Sequence, residues 1–371
     1  MMRKAAFICS PDLWVHGHGA NHPLRPERLR MVYELLLAYG AFDGPSSRLL
    51  PPRQATDEEL ALWHTAEYID AVHRLSAGDT SVRPWQYHFG PGDNPVFLGM
   101  YETEALKAGS SLMAAQMVAR KEVDVAFSFA GGLHHAMAGY ASGFCVFNDP
   151  AIAIRWLAGR GLRVAYVDVD AHHGDGVQAA FYDTDQVMTI SFHESGEYLF
   201  PGTGFVRELG RGAGEGYSIN VPLLPYTGDE VYLWAFERVV PPLVSRFAPD
   251  VLVTQLGVDT HYLDPLTHLK LTTAGYTSLI QHFRDMDLPW VATGGGGYDV
   301  RTVVRAWTLA YGIMSDRAFA DPIPEPYARQ YRIDRLHDHV GLQVRERDLA
   351  LTREYAERQV SALERALGKL A

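Results

Sequence analysis

The chain has 371 residues, 47% of them hydrophobic and 21% charged, and a formal net charge of −11. That acidic balance, with no basic run to offset it, argues against nucleic acid as the main partner, and no apolar stretch is long enough to span a membrane. Only Cys9 and Cys145 are present, which excludes a disulfide framework and a cysteine-based zinc site.

Residues 4–9 read as a short buried strand. They lack the long apolar core of a signal peptide, so the expectation is a soluble cytoplasmic protein. A Gly/His-rich loop follows from His16 to His22, then an amphipathic helix from Pro26 to Tyr39 with proline at its start. Thr56-Asp-Glu-Glu59 has the form of a capping box. A helical stretch over 66–76 precedes a long loop of proline, glycine and aromatics at 79–95, and an alanine-rich helix fills 99–120.

Strands and helices then alternate. The predicted strands are Val123–Phe129, Val164–Asp170, Gln186–His193, Tyr217–Val221, Val251–Leu256 and Trp290–Thr293. Helices are predicted at 148–160, 174–182, 229–247, 273–286 and 300–314, and a charged terminal helix at 343–368. Pro241-Pro242 predicts a break or kink in the 229–247 helix. The pattern is that of an α/β chain with a parallel sheet covered on both faces. No linker or repeat divides it, so 1–371 reads as one domain, with a core over about 4–315 and a C-terminal helical extension over about 325–371.

The chemistry gathers where strands end, which is where ligands bind in open parallel sheets. In Val164-Ala-Tyr-Val-Asp-Val-Asp-Ala-His-His-Gly-Asp-Gly176 the period of two places Tyr166, Asp168, Asp170 and His172 on one face. Carboxylate and imidazole together are the oxygen and nitrogen ligands of a borderline cation, and three same-face polar groups in a buried strand would be costly without one. Asp259, after the strand ending at Leu256, supplies a third ligand, leaving the open coordination of a catalytic site. Zn²⁺ suits this set, and Fe²⁺ would also be accepted.

His134-His135 follow Gly131-Gly132, which permit the sharp turn needed for both rings to face one point. One imidazole can take a proton from the attacking water and deliver it to a leaving amine. Asp168 and Asp175 are free to fix the tautomers. Tyr298, after the run Gly294 to Gly297, can donate to a tetrahedral oxyanion. Gly143-Phe144 and Phe200-Pro-Gly-Thr-Gly204 can wall a narrow channel. These residues by themselves point to a metal-dependent hydrolase acting on an amide.

The motifs Gly131-Gly-Leu-His-His135, Ser142-Gly-Phe-Cys-Val-Phe-Asn-Asp149, Asp168 to Gly176, Phe200 to Gly204 and Gly294 to Tyr298 resemble those of the zinc-dependent histone deacetylase superfamily. The likeness is to its class I members and, through Asp264-Pro-Leu-Thr-His-Leu269, to the bacterial acetoin-utilisation branch. The resemblance implies a three-layer arginase/deacetylase-type fold with an eight-stranded parallel sheet, and a protein lysine deacetylase. It implies Asp170, His172 and Asp259 as zinc ligands, His134 and His135 oriented by Asp168 and Asp175, His135 as general base, and Tyr298 as oxyanion donor. Gly143 through its carbonyl, Phe144, Phe200 and Leu266 would line an acyl-lysine tunnel. Asp93 would bind the substrate backbone at the rim, and Arg28 would guard an internal acetate channel.

Structural K⁺ is implied at two places: one formed by Asp168, Asp170, His172, Ser191 and Phe192, the other by Phe181, Thr184, Val187 and Tyr217. Leu199 is an extra residue relative to eukaryotic class I members, so either Leu199 or Phe200 forms the second tunnel wall. Pro265 replaces an arginine that binds inositol phosphate, so no corepressor is expected, and no extended tail follows the terminal helix. The implied substrate is an acetylated protein or peptide lysine on metabolic enzymes, acetyl-coenzyme A synthetase foremost. Three rivals stand beside it. An amidohydrolase for acetylpolyamines would want a long insertion closing the rim. A two-metal ureohydrolase would want a carboxylate where His261 stands. An acetyl-lysine reader would lack Tyr298 or one of the paired histidines.

Overall fold

Eight short segments form one parallel sheet: β1 Ala5–Ile8, β2 Ser47–Leu50, β3 Val125–Ser128, β4 Val164–Asp168, β5 Val187–Glu194, β6 Ser218–Leu223, β7 Val251–Gln255 and β8 Trp290–Thr293. The computed structural model describes residues 3–339, 342 and 345–369. The strand order is β2-β1-β3-β8-β7-β4-β5-β6, with every pairing parallel. The helices are α1 Glu27–Ala38, α2 Asp57–Leu60, α3 Ala66–Ser76, α4 Met100–Ala119, α5 Asp149–Ala158, α6 Asp175–Phe181, α7 Asp229–Phe247, α8 Thr273–Asp285, α9 Val300–Met314, α10 Glu325–Tyr331 and α11 Glu346–Gly368.

The alternation along β4 sorts its side chains into two cores. Ala165 and Val167 pack in one cluster with residues of α1, α7, α8 and α9. Val164 and Tyr166 pack in the other with residues of α4, α5 and α6. Helices therefore cover both faces of the sheet, giving three layers, as parallel strands with unsatisfied apolar faces require.

Thr56 caps α2 as read from sequence: its hydroxyl accepts the Glu59 N–H while the Glu59 carboxylate accepts the Thr56 N–H. The edge strand β2 is a gain over the sequence pattern, in which Ser47-Arg-Leu-Leu50 shows no alternation. Its register with β1, Ala5 opposite Ser47, comes from tertiary pairing. The expected break at Pro241-Pro242 does not occur, and α7 runs unbroken through both prolines. The carbonyls that lose their donors belong to Glu237 and Arg238, both exposed, so water can serve them. The terminal helix starts at Glu346 rather than 343, and Gln343 and Val344 lie outside the described residues. No helix of the described residues is long and apolar enough to cross a membrane.

Candidate active site

The carboxyl ends of β3, β4, β7 and β8, neighbours at the centre of the sheet, bring the predicted residues together. Asp170, His172 and Asp259 are all buried, and their ligating atoms lie within 4.8 Å of one another. His172 Nδ1 is 3.0 Å from Asp170 Oδ1 and 3.0 Å from Asp259 Oδ2. The remaining carboxylate oxygens are held by the fold: Asp170 Oδ2 accepts the Gln255 amide at 2.7 Å and the Gly296 N–H at 2.8 Å, and Asp259 Oδ1 accepts the Ala171 N–H at 2.8 Å. The set fits a divalent cation. Burial, and then the neighbouring Asp170, push the Asp259 carboxyl well above the usual carboxylate range, a conflict that a bound cation would relieve.

The two histidines converge. Their ring centroids are 4.0 Å apart and their Nε2 atoms 3.0 Å apart. His134 Nδ1 is 2.7 Å from Asp168 Oδ2, and His135 Nδ1 is 2.7 Å from Asp175 Oδ1. The turn that achieves this needs Gly132, at φ +89°, where a Cβ would sit 2.5 Å from the Gly294 carbonyl oxygen. Burial opposes a cation on His134, but Asp168 and Asp170 outweigh it and raise its pKa to about 9. For His135, burial and the adjacent His134 lower the pKa, so its ring stays neutral, with its lone pair on Nε2 turned towards His134 Nε2. Tyr166 adds a hydrogen bond to Asp168 Oδ2 at 2.6 Å.

Tyr298 lies across the cluster, with its ring 5.6 Å from Phe144 and 6.4 Å from His172 between centroids. Its hydroxyl has no hydrogen-bond partner among the described residues, while its backbone N–H donates to Asp264 Oδ2 at 2.8 Å. Burial of the phenol, with Asp259 and Asp170 close by, holds its pKa above the ordinary value, so it remains a donor. Gly143 at φ +52° brings the channel wall against His135, leaving no room for a Cβ, which would lie 2.4 Å from the His135 ring. Phe200 packs edge-on to His135 at 5.1 Å and is 44% exposed, whereas Leu199 packs into the large core; of the two candidates, Phe200 faces the site.

Other predicted residues stand further out. Arg28 is buried behind the glycine run, donating to the Gly295 and Gly297 carbonyls at 2.9 Å each. Asp93 is exposed, and its carbonyl is 3.2 Å from His22 Nε2. Leu266 is 37% exposed, with its N–H donating to Asp264 Oδ1 at 2.9 Å. Asp168 and Ser191 are register partners on β4 and β5, beside Phe192, Asp170 and His172. The Ser191 hydroxyl is 2.9 Å from His193 Nδ1. Phe181, Thr184, Val187 and Tyr217 lie at the other end of β5 and β6; the Tyr217 carbonyl accepts the Thr189 N–H at 2.9 Å and the Phe181 carbonyl the Thr184 N–H at 3.4 Å.

Sequence reasoning gave no role to Gln255, Asn148, Asp149 or Asp264. Gln255 is the register partner of Asp168 and the only polar residue besides Thr254 in β7, which is the signal that was available. Asn148 donates to the His134 and Ala136 carbonyls at 3.1 and 3.0 Å. Asp149 accepts the Gly132 and Leu133 N–H groups at 2.9 and 2.8 Å. Together they clamp the turn that carries the paired histidines.

The chain is a hydrolase of the histone deacetylase family, whose domain matches residues 22–314. It is 43% identical over 314 residues to the acetoin utilization protein AcuC of Bacillus subtilis, covering 82% of this chain and 81% of that one. It is also 37% identical to the histone deacetylase clr6 of Schizosaccharomyces pombe, over 91% of this chain and 84% of that one. Among solved structures, a histone deacetylase homolog complexed with SAHA superposes with a TM-score of 0.86 at 33% identity, covering 96% of this chain and 100% of that one. The homolog from Aquifex aeolicus gives 0.86 at 32% identity with the same coverage.

Proposed function

We propose that this protein is a metal-dependent protein lysine deacetylase, hydrolysing N6-acetyl-lysine to lysine and acetate in the cytoplasm. The observation that carries the reading is the convergence of two histidine–carboxylate pairs, with Nε2 atoms 3.0 Å apart, beside the open cluster of Asp170, His172 and Asp259. Zn²⁺, or Fe²⁺ in its place, held by those three side chains would polarise the amide carbonyl and acidify the attacking water. His135, neutral and oriented by Asp175, receives the proton on Nε2 and returns it to the departing lysine amine. His134, tied to Asp168, keeps a positive charge beside the developing anion. Tyr298 donates its hydroxyl to the tetrahedral oxyanion.

Phe144 and Phe200 confine the acyl-lysine stem with Gly143 between them, and Leu266 and Asp93 stand at the mouth for the substrate chain. The substrates proposed are acetylated metabolic enzymes, acetyl-coenzyme A synthetase foremost, for a chain whose relative is named for acetoin utilization. K⁺ would sit against Asp168, Asp170, His172, Ser191 and Phe192, offsetting carboxylate charge, with a second at Phe181, Thr184, Val187 and Tyr217. The test is turnover of an acetyl-lysine peptide and of acetylspermidine by wild type and His135→Ala. The expected result is peptide deacetylation that His135→Ala and a metal chelator each abolish. Preference for acetylspermidine would move the substrate to small amines, and deacetylation untouched by His135→Ala would remove the assigned base.

A further inference from the structure

Asp259 lies on the long connection between β7 and α8, and a residue from far along the chain closes the outer side of that turn. His261, two positions on, is 2% exposed, and its Nε2 donates to Asp338 Oδ2 at 3.0 Å across 77 positions of sequence. Its Nδ1 accepts the Leu263 N–H at 3.2 Å, so both ring nitrogens are engaged and the tautomer is set. Asp338 is itself fixed from three sides. Arg305 on α9 donates to Oδ1 at 2.7 Å, the Thr273 N–H at the start of α8 donates to Oδ2 at 2.8 Å, and the Asp338 N–H donates to the Thr273 hydroxyl at 2.9 Å. The His261 N–H meanwhile donates to the Val258 carbonyl at 3.0 Å, closing the turn around Asp259.

We infer that Asp338 is a positioning residue for the metal centre: through His261 it fixes the turn that aims Asp259 at Asp170 and His172. Asp338 lies beyond residues 22–314, the span of the family domain, so a segment outside that domain sets the geometry of a ligand within it. The inference rests on the reading of Asp170, His172 and Asp259 as metal ligands. Partners of metal ligands typically carry about 10–100-fold of metal affinity, and Asp338 acts one link further out, which puts its share near tenfold.

The test uses the full chain, freed of metal and titrated with Zn²⁺ against a chromophoric chelator, and with Co²⁺ read by its visible absorption. Wild type, Asp338→Asn and Asp321→Asn are compared. Asp321 makes a fair control, because it holds the same segment through the His337 N–H at 2.9 Å and ring at 2.8 Å without touching His261. Asp338→Asn is expected to weaken Zn²⁺ binding about tenfold and to shift the Co²⁺ spectrum, while Asp321→Asn leaves both unchanged. Should Asp338→Asn fail to fold, His261→Gln carries the same expectation. Binding by these variants within about twofold of wild type overturns the inference and leaves the metal reading standing. A wild type that binds neither ion overturns both.

Discussion

Replacing Tyr298 by phenylalanine removes one oxygen and leaves the ring in place against Phe144. The hydroxyl has no protein partner among the described residues, and the backbone contact that holds Tyr298, its N–H to Asp264 at 2.8 Å, survives the change. No buried group loses a hydrogen bond, so stability should stay within about 0.5 kcal/mol of wild type. What is lost is a donor placed for charge that develops only during reaction, worth about 3 kcal/mol and hence on the order of 10²–10³ in kcat. Because the ground-state carbonyl gains little from that donor, KM should hold while kcat falls. Steady-state hydrolysis of an acetyl-lysine peptide, with thermal unfolding of the same preparation, separates the two effects. A kcat loss below about tenfold, or a fall in Tm of several degrees alongside the lost activity, would refute the reasoning.

Asp175→Asn keeps the shape beside His135 but removes the charge that fixes its tautomer, so kcat should fall by about 10²–10⁴ with peptide KM retained. Gly296→Ala places a Cβ 2.1 Å from Asp259 Oδ2 and 2.8 Å from Asp170 Oδ2, so the rise in Tm that a bound divalent ion gives wild type should vanish in the variant. The Asp321 carboxyl is held at about 2: partial burial raises it, but the His337 backbone and ring and Arg335 outweigh that. A folded-state pKa depressed below the unfolded value of about 3.9 stabilises above pH 4 and loses that contribution as pH falls towards 2. The difference in unfolding free energy between wild type and Asp321→Asn, about 1 kcal/mol at pH 6 after allowance for solvent screening, should therefore close in acid; a difference independent of pH would contradict the assignment.

The strands that carry the site were legible because each is an apolar run ending in a polar turn, and a period of two placed Asp168 and Tyr166 on one face without any tertiary information. The edge strand Ser47–Leu50 was not legible, since its residues are ordered by β1 and carry no pattern of their own. The convergence of His134 and His135 depends on how Asn148 and Asp149 grip the turn from the start of α5, a contact that sequence spacing cannot show. The choice between Leu199 and Phe200 likewise turned on which side of one loop faces the core. Asp338 was out of reach for the same reason: its partner His261 is 77 positions away. Pro241-Pro242 do not break the helix, because water can reach the exposed face where their missing donors leave carbonyls unpaired.

Gly132 lies against the carbonyl of Gly294, and Gly296 against the Asp259 and Asp170 carboxylates, so close approach of backbone forms the floor beneath the cluster. Those glycines carry no side chain to trim, and a Cβ on either would displace the Gly294 carbonyl or the two carboxylates. If the proposed function holds, a change in which acyl group enters is to be sought at the walls and lip, at Gly143, Phe144, Phe200 and Leu266. Under the proposed function, backbone sets the reacting end of the chamber and side chains set its entrance.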